Sequence, residues 1–199
     1  KTGILGGTFN PIHMGHLMLA ENAYDSLELD KVLIMPSGVS YLKANDNIPS
    51  AAHRIRMAGL AISNNRHFEL SKIETEREGN SYTCETLLML KEIDPNTEYY
   101  YIVGEDTLFH IESWKEPQTI FDNCIIVAAK RYNIDNKALE HQKGYLENKF
   151  ENVRIKLLDS PNIDISSTMI RMRVAAKKSI RYYVPRDVES YIYNNNLYR

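Results

Sequence analysis

The stretch from Gly6 to His16 concentrates residue types that bind phosphate. Its sequence is GGTFNPIHMGH, which combines two adjacent glycines, a threonine hydroxyl and two histidines three residues apart. Glycines let backbone N–H groups approach an anion closely, and the hydroxyl and imidazoles add donors. An apolar run precedes the stretch and a helical pattern follows it, and such strand–helix junctions bind phosphates in α/β folds. We therefore predict an anion site that includes Gly6, Gly7, Thr8, His13 and His16.

The histidine pair has two other interpretations. A bare His-x-x-His in a glycine-rich turn can be incidental, and the pair could contribute to a zinc site. Zinc needs three or four ligands, and the sequence has no other His/Cys cluster with ligand spacing. Neither the G-x-x-x-x-G-K-[ST] nor the G-x-G-x-x-G pattern occurs. The glycines and Thr8 favour phosphate binding, and we predict no metal held by the protein alone.

A second group of phosphate-binding residue types lies far along the chain, in the segment ISSTMIR. Ser166, Ser167 and Thr168 supply three consecutive hydroxyls at the start of a predicted helix, and Arg171 lies one turn inside it. Hydroxyls, free N–H groups and a guanidinium suit a polyphosphate. An ordinary Ser/Thr N-cap is the alternative. Beside the first stretch, this segment predicts the other half of a triphosphate site.

Alternating strands and helices must position these two segments. The predicted strands span residues 2–5, 32–35, 68–70, 99–103, 125–128 and 153–158. The predicted helices span residues 15–27, 51–64, 138–149, 167–177 and 188–195, and a further helix runs from about residue 83 to Pro95 with Ser81 or Thr83 as its cap. Strands regularly separated by helices indicate a Rossmann-like, three-layer α/β fold with a mainly parallel central sheet.

Length and composition limit the classes of protein to consider. The chain has 199 residues, and we expect a single domain over residues 1–199. A net charge of −2 supports neither nucleic acid nor a membrane surface as a partner. We expect the protein to be cytoplasmic, because no apolar stretch is long enough to span a bilayer and no basic-then-apolar leader opens the sequence. In a reducing cytosol, we expect Cys84 and Cys124 to be free thiols. A homo-oligomer is compatible with the sequence.

Taken together, the two segments resemble the nucleotidyltransferase superfamily with H-x-G-H and I-S-S-T-x-I-R signatures. More narrowly, the chain resembles the bacterial nicotinate-nucleotide adenylyltransferase family. Three further segments carry this narrower resemblance. They are Ser81–Thr83 (S-Y-T), Gly104–Asp106 followed by Trp114 (G-x-D…W), and residues 183–192 (V-P…Y-I). The resemblance covers nearly the whole chain and implies a nucleotidyltransferase fold.

The resemblance implies transfer of AMP from ATP to nicotinate mononucleotide in NAD biosynthesis, with nicotinate adenine dinucleotide and pyrophosphate as products. His13, His16 and Arg171 would be the catalytic residues, stabilising the triphosphate and the departing pyrophosphate. Further ATP contacts would come from Gly6, Gly7, Thr8, Phe9, Gly104, Asp106, Ser166, Ser167 and Thr168. Helices from about residue 166 would complete the ATP site, and Mg²⁺ would arrive with ATP.

The acceptor site implied by the resemblance consists of Lys43, Tyr82, Thr83 and Trp114. Tyr82 and Thr83 would present N–H groups at a helix start, which suits a carboxylate and favours nicotinate over nicotinamide. Trp114 offers a flat face for a pyridine ring. From the residues alone, core packing is the more usual role for a tryptophan such as Trp114, Lys43 could be a solvated lysine, and Asp106 could equally be an N-cap.

The sequence departs from the family's pattern after the fifth predicted strand. Lys130 and Arg131 stand where Arg-Pro-Gly is common, so either basic residue could take the arginine's role. Two alternative functions are a transferase acting on nicotinamide mononucleotide or another phosphate monoester, and a nucleotide sensor without turnover.

Overall fold

The computed structural model describes residues 1–38, 48–131, 137–161 and 163–199. Within these ranges, six strands form one sheet in the order β3-β2-β1-β4-β5-β6. The strands are β1 (Thr2–Gly7), β2 (Lys31–Pro36), β3 (Phe68–Leu70), β4 (Tyr99–Gly104), β5 (Ile125–Arg131) and β6 (Ile155–Ser160). All neighbouring pairs are parallel. The strand order reverses between β1 and β4, and ligands bind at the carboxyl ends of strands at such a reversal.

Helices cover both faces of the sheet. They are α1 (Met14–Leu27), α2 (Ala51–Ile62), α3 (Thr83–Ile93), α4 (Glu105–Leu108), α5 (Pro117–Asn123), α6 (Lys137–Lys149), α7 (Ser167–Ala175) and α8 (Arg186–Asn194). Residues from α1, α2, α7 and α8 share one apolar core, and residues from α3 to α6 share the other. Leu5 belongs to the first core and Ile4 to the second, because successive side chains of a strand point to opposite faces. The predicted three-layer α/β fold is confirmed.

The elements differ from the sequence prediction mainly at their ends. All six predicted strands are present, and β6 is an edge strand that begins at Ile155 rather than at residue 153. The short helices α4 and α5 and a 3₁₀ turn at Ile111–Ser113 were not predicted, since so few residues give no periodic apolar pattern.

The predicted cap of α3 is wrong. Its N-cap is Tyr82, whose side chain makes no capping hydrogen bond. Instead, the Ser81 hydroxyl accepts a hydrogen bond from the Gly38 N–H at 3.1 Å.

Cys84 and Cys124 are both buried and form no disulfide. None of the helices found in the described ranges is both long enough and apolar enough to cross a membrane.

Candidate active site

The loop between β1 and α1 lies at the carboxyl edge of the sheet, at the strand reversal. Gly6 is required where the loop leaves β1, because a Cβ atom there would lie 2.8 Å from the Tyr101 hydroxyl oxygen. Phe9 has a φ of 48°, a left-handed conformation that is unusual for a residue other than glycine. Strained backbone of this kind persists only where its surroundings hold it in place.

Helix α7 supplies part of that support, since it packs directly against the loop. The Arg171 guanidinium donates from Nη1 to the Asn10 carbonyl at 2.9 Å, and the Ser167 hydroxyl donates to the Pro11 carbonyl at 2.8 Å. Arg171 also donates from Nη2 to the Thr168 hydroxyl at 3.1 Å. The two phosphate-binding segments predicted from the sequence are therefore joined to each other.

Ser166 is the N-cap of α7. Its hydroxyl accepts a hydrogen bond from the Met169 N–H at 3.1 Å. The N-cap alternative is therefore correct for Ser166, but it does not exclude an anion site. The earlier N–H groups of a helix have no acceptor within the helix and remain available to a ligand.

The two histidines lie against each other at the start of α1. Their ring centroids are 3.6 Å apart with 26° between the planes. His13 is the N-cap, and its backbone N–H donates to His16 Nδ1 at 3.2 Å. Because Nδ1 of His16 accepts, the proton of the neutral ring lies on Nε2. His16 is therefore oriented as a donor from Nε2.

His13 is more deeply buried than His16. Its side chain is 6% exposed, and its Nδ1 has no hydrogen-bond partner among the described residues. Burial lowers the pKa of His13 from 6.5 to about 4, because desolvation disfavours the charged ring. His13 is consequently neutral at pH 7 in this structure.

Both segments line one cavity of about 690 Å³. Its described lining comprises Gly7, Thr8, Phe9, Asn10, His13, His16, Ile48, Ile165, Ser166, Ser167, Thr168 and Arg171. Hydroxyls, amides, imidazoles and one guanidinium make up the polar part of this lining, with no carboxylate among the described residues. We call it the phosphate cavity, because such a donor set suits an anion.

The histidines also line a second cavity of about 540 Å³, which we call the ring cavity because aromatic side chains form part of its wall. It shares Gly7, Thr8, His13, His16 and Ile165 with the phosphate cavity. Its far wall includes Tyr82, Thr83 and Trp114. The two cavities thus meet at the histidine pair.

The wall of the ring cavity combines aromatic rings with a helix start. Trp114 is half-buried and lies edge-on to the Tyr101 ring, with centroids 6.2 Å apart and 87° between the planes. It packs against the core and also lines the cavity, so the core-packing interpretation is correct and ring stacking by Trp114 stays a prediction. Helix α3 begins at Thr83 without a side-chain cap, which leaves its first-turn N–H groups at the cavity wall.

Comparison with known proteins decides the family. Residues 4–173 match the model of the family described as Cytidylyltransferase-like. The probable nicotinate-nucleotide adenylyltransferase of Lachnoclostridium phytofermentans is 42% identical over 198 residues, covering 100% of this chain and 98% of that protein. Its counterpart in Clostridium beijerinckii is 41% identical over 203 residues, covering 100% and 99%. The chain belongs to the nicotinate-nucleotide adenylyltransferase family.

Solved structures share the fold of this family member. Plasmodium falciparum nicotinic acid mononucleotide adenylyltransferase complexed with NaAD superposes with a TM-score of 0.78 at 23% identity, covering 99% of this chain and 96% of that one. The same protein complexed with APC gives a TM-score of 0.76 at 22% identity over the same shares. At this level of identity the likeness establishes the α/β architecture.

Gly104 and Asp106 lie apart from the phosphate cavity of this adenylyltransferase. Both line a smaller cavity of about 190 Å³ together with Gly15 and Lys130, and Gly104 also lines the ring cavity. Gly104 is the N-cap of α4, so the N-cap interpretation of Asp106 is wrong. Asp106 is exposed in the first turn of α4.

Of the three basic residues singled out in the sequence besides Arg171, the side chain of only one is described. Lys130 forms an ion pair with Asp159 at 3.0 Å. Lys43 and the side chain of Arg131 lie outside the described residues.

Sequence reasoning missed two buried charged residues beside the site. Arg54 is 4% exposed and Glu74 is 7% exposed. Arg54 could have been noticed, because it precedes Met57 and Ala58 by one helical turn and so lies on the apolar face of α2. Glu74 lies in a segment without periodicity and gave no such signal.

Glu74 lines the ring cavity and accepts a hydrogen bond from the Thr86 hydroxyl at 2.9 Å. Burial raises the pKa of its carboxyl group, because desolvation disfavours the charged form. The ring cavity therefore has a carboxyl group that is biased towards its neutral state.

Proposed function

We propose that this protein transfers AMP from ATP to nicotinate mononucleotide, giving nicotinate adenine dinucleotide and pyrophosphate in NAD biosynthesis. One observation carries the proposal: a cavity with a polyphosphate donor set and a cavity with an aromatic wall meet at His13 and His16. A reaction that joins a nucleotide to a pyridine mononucleotide needs both in contact. The family's name, nicotinate-nucleotide adenylyltransferase, supports the same substrates.

The ATP triphosphate would occupy the phosphate cavity. Its contacts would be the N–H groups of the loop residues Gly6 to Phe9, the first turn of α7 with Ser166, Ser167 and Thr168, and the remaining guanidinium N–H groups of Arg171. Gly104 and Asp106, in the adjoining small cavity, would contact the nucleoside part. Because segments from both ends of the chain build the phosphate cavity, we propose that residues 1–199 act as one domain.

The transfer step needs positioning and charge stabilisation rather than a strong base. The attacking group is a phosphate monoester, whose second pKa near 6 leaves it largely ionised at pH 7. Its oxygen forms a bond to the α-phosphorus of ATP while the bond to pyrophosphate breaks. His16 would donate from Nε2, and Arg171 would stabilise the negative charge that leaves with pyrophosphate. The anion also favours the protonated form of His13.

Magnesium fits this site as part of the nucleotide. The described part of the chain contains no group of three or more His, Cys, Asp or Glu side chains that could hold a metal ion. The described lining of the phosphate cavity offers donors to phosphate oxygens rather than ligands to a cation. Mg²⁺ would therefore keep phosphate and water ligands, and it would supply neutralisation of the triphosphate charge.

The pyridine ring of the acceptor would stack on Trp114, with its carboxylate at the start of α3. The first-turn N–H groups of α3, which begin at Thr83, would then donate hydrogen bonds to this carboxylate, because the N-cap side chain makes no capping hydrogen bond. A carboxylate is stabilised at a helix N-terminus, whereas an amide gains less from the helix dipole. This difference supports nicotinate over nicotinamide as the substrate.

A pyrophosphate-release assay with Mg²⁺–ATP tests the proposal. Nicotinate and nicotinamide mononucleotides are compared side by side, and we expect faster turnover of nicotinate mononucleotide. Faster turnover of the amide would make the protein a nicotinamide-directed transferase. Binding of ATP without pyrophosphate release from any mononucleotide would make it a sensor.

Thr83→Pro sharpens this test, because it removes one backbone N–H at a position where helices tolerate proline. We expect kcat/KM for nicotinate mononucleotide to fall on the order of tenfold, the effect of one hydrogen bond to a charged group, and the value for the amide to change less. Thr83→Val is the matched control. It removes the same hydroxyl contact to Tyr101 but keeps the N–H. Equal losses in both variants would place the carboxylate elsewhere.

A further inference from the structure

Arg54 is a buried cation that binds backbone oxygens. In the described parts of the chain it has no carboxylate at ion-pair distance. Its guanidinium donates from Nη1 to the carbonyls of Ser37 at 2.7 Å and Thr8 at 3.0 Å, and from Nη2 to that of Gly38 at 3.4 Å. A buried charge is costly unless it is well hydrogen-bonded, so this position needs an explanation.

The three carbonyls belong to two segments at the carboxyl edge of the sheet. Thr8 follows β1 and lines both the phosphate cavity and the ring cavity. Ser37 and Gly38 follow the neighbouring strand β2, and Ser37 lines the ring cavity. Arg54 therefore ties the ends of two adjacent strands together and binds Thr8, a residue that lines both cavities.

The tie extends to the wall of the ring cavity through Gly38. The Gly38 N–H donates to the Ser81 hydroxyl, directly before the start of α3. A Cβ atom at Gly38 would overlap the backbone oxygen of Glu74, so the segment after β2 is in close contact with the segment that contains Glu74. A displacement at Arg54 would be passed to both the loop after β1 and the start of α3.

Arg54 also supports the strained residue of the phosphate loop. Phe9, with its positive φ, lies between two carbonyls that arginines hold: Arg54 binds that of Thr8, and Arg171 binds that of Asn10. A positive φ is unfavourable for a residue other than glycine, so the loop would relax if one of these two bonds were lost.

We propose that Arg54 is a positioning residue for the transfer reaction, which fixes the phosphate loop relative to the acceptor wall without touching either substrate. The described lining of neither cavity includes Arg54. The proposal rests on the proposed function for its kinetic readout, but its effect on nucleotide binding can be measured without turnover.

Arg54→Lys is the test variant, because lysine keeps the charge and the stem but cannot bind carbonyls of both segments with a planar fork. We expect kcat at saturating substrates to fall on the order of 10²-fold, as for a small misplacement of reacting groups, with a melting temperature close to that of the wild type. Arg56→Lys is the matched control, since Arg56 is exposed two residues away on the same helix. Added guanidinium ion should restore part of the activity of Arg54→Ala.

A melting temperature lowered without any change in kcat would show a purely structural role and overturn the proposal. If Arg54→Lys does not fold, Arg54→Gln carries the test: a lower kcat at an unchanged melting temperature supports the proposal and an unchanged kcat overturns it. If the wild type does not turn over nicotinate mononucleotide, only the proposed function fails. Binding of a non-hydrolysable ATP analogue then tests the positioning role of Arg54. We expect Arg54→Lys to bind the analogue more weakly than the wild type, and Arg56→Lys to bind it equally well.

Discussion

The phosphate cavity and the ring cavity share two histidines but are built in different ways. The phosphate cavity is lined by the main-chain loop after β1. Arg54 and Arg171 bind carbonyls of this loop, so the N–H groups of the loop are fixed before any ligand arrives. The ring cavity is formed by side-chain packing of Trp114 on Tyr101 and by the uncapped start of α3. The first arrangement fixes charge complementarity, and the second selects the shape and the charge of the acceptor.

Burial shifts a titratable group in each cavity towards its neutral form. It lowers the pKa of His13 and raises the pKa of Glu74. The site therefore carries less charge than its residue types suggest, and an anion bound in the phosphate cavity would favour protonation of His13. Preorganised donors and His13, which can gain a proton, therefore lie side by side where the cavities meet.

Because His16 belongs to both cavities, its removal should have the largest effect on activity. We expect His16→Ala to lower kcat on the order of 10²–10³-fold, by analogy with the loss of a preorganised oxyanion donor. His110→Ala is the control, since His110 is exposed. Turnover of His16→Ala near the wild-type rate in the pyrophosphate assay would remove His16 from the catalytic residues.

The lowered pKa of His13 predicts that the free energy of unfolding depends on pH. Its pKa in the folded protein, about 4, lies below the unfolded value of 6.5. The unfolded chain therefore binds this proton first, and stability from His13 is present above pH 6.5 and lost as pH falls towards 4. The loss amounts to about 3 kcal/mol across that window. Denaturant unfolding between pH 4 and pH 7 measures it.

His13→Gln isolates this contribution, because carboxylates elsewhere titrate equally in both proteins. The difference in unfolding free energy between wild type and variant should change with pH only between about 4 and 6.5. Glu74 works in the opposite direction: its raised pKa gives stability at low pH that is lost as pH rises. A pH-independent difference between the two proteins would mean that His13 titrates normally and is not desolvated.

The same two cavities show what the sequence could predict. Glycines, hydroxyls and histidines at a strand–helix junction are local patterns, and the structure brings His13 and His16 into one cavity with Arg171 as expected. All six strands follow from apolar runs. Arg54 could not be assigned a role, since its bonds reach residues 16 to 46 positions away and depend on tertiary packing. The predicted cap of α3 was wrong because the Ser81 hydroxyl accepts a hydrogen bond from Gly38, a contact between distant segments.

Trp114 offers the smallest effect, and it separates the two cavities. We expect Trp114→Ala to raise KM for nicotinate mononucleotide about threefold to tenfold, the value of one aromatic stacking contact, and to leave KM for ATP unchanged. Trp114→Phe should recover part of the loss, because a smaller ring still stacks. Phe109→Ala is the matched control, since Phe109 is an exposed ring in the preceding turn. A parallel rise in both KM values would show that the two cavities do not select their ligands independently, and that Trp114 supports the phosphate loop through Tyr101 and Gly6.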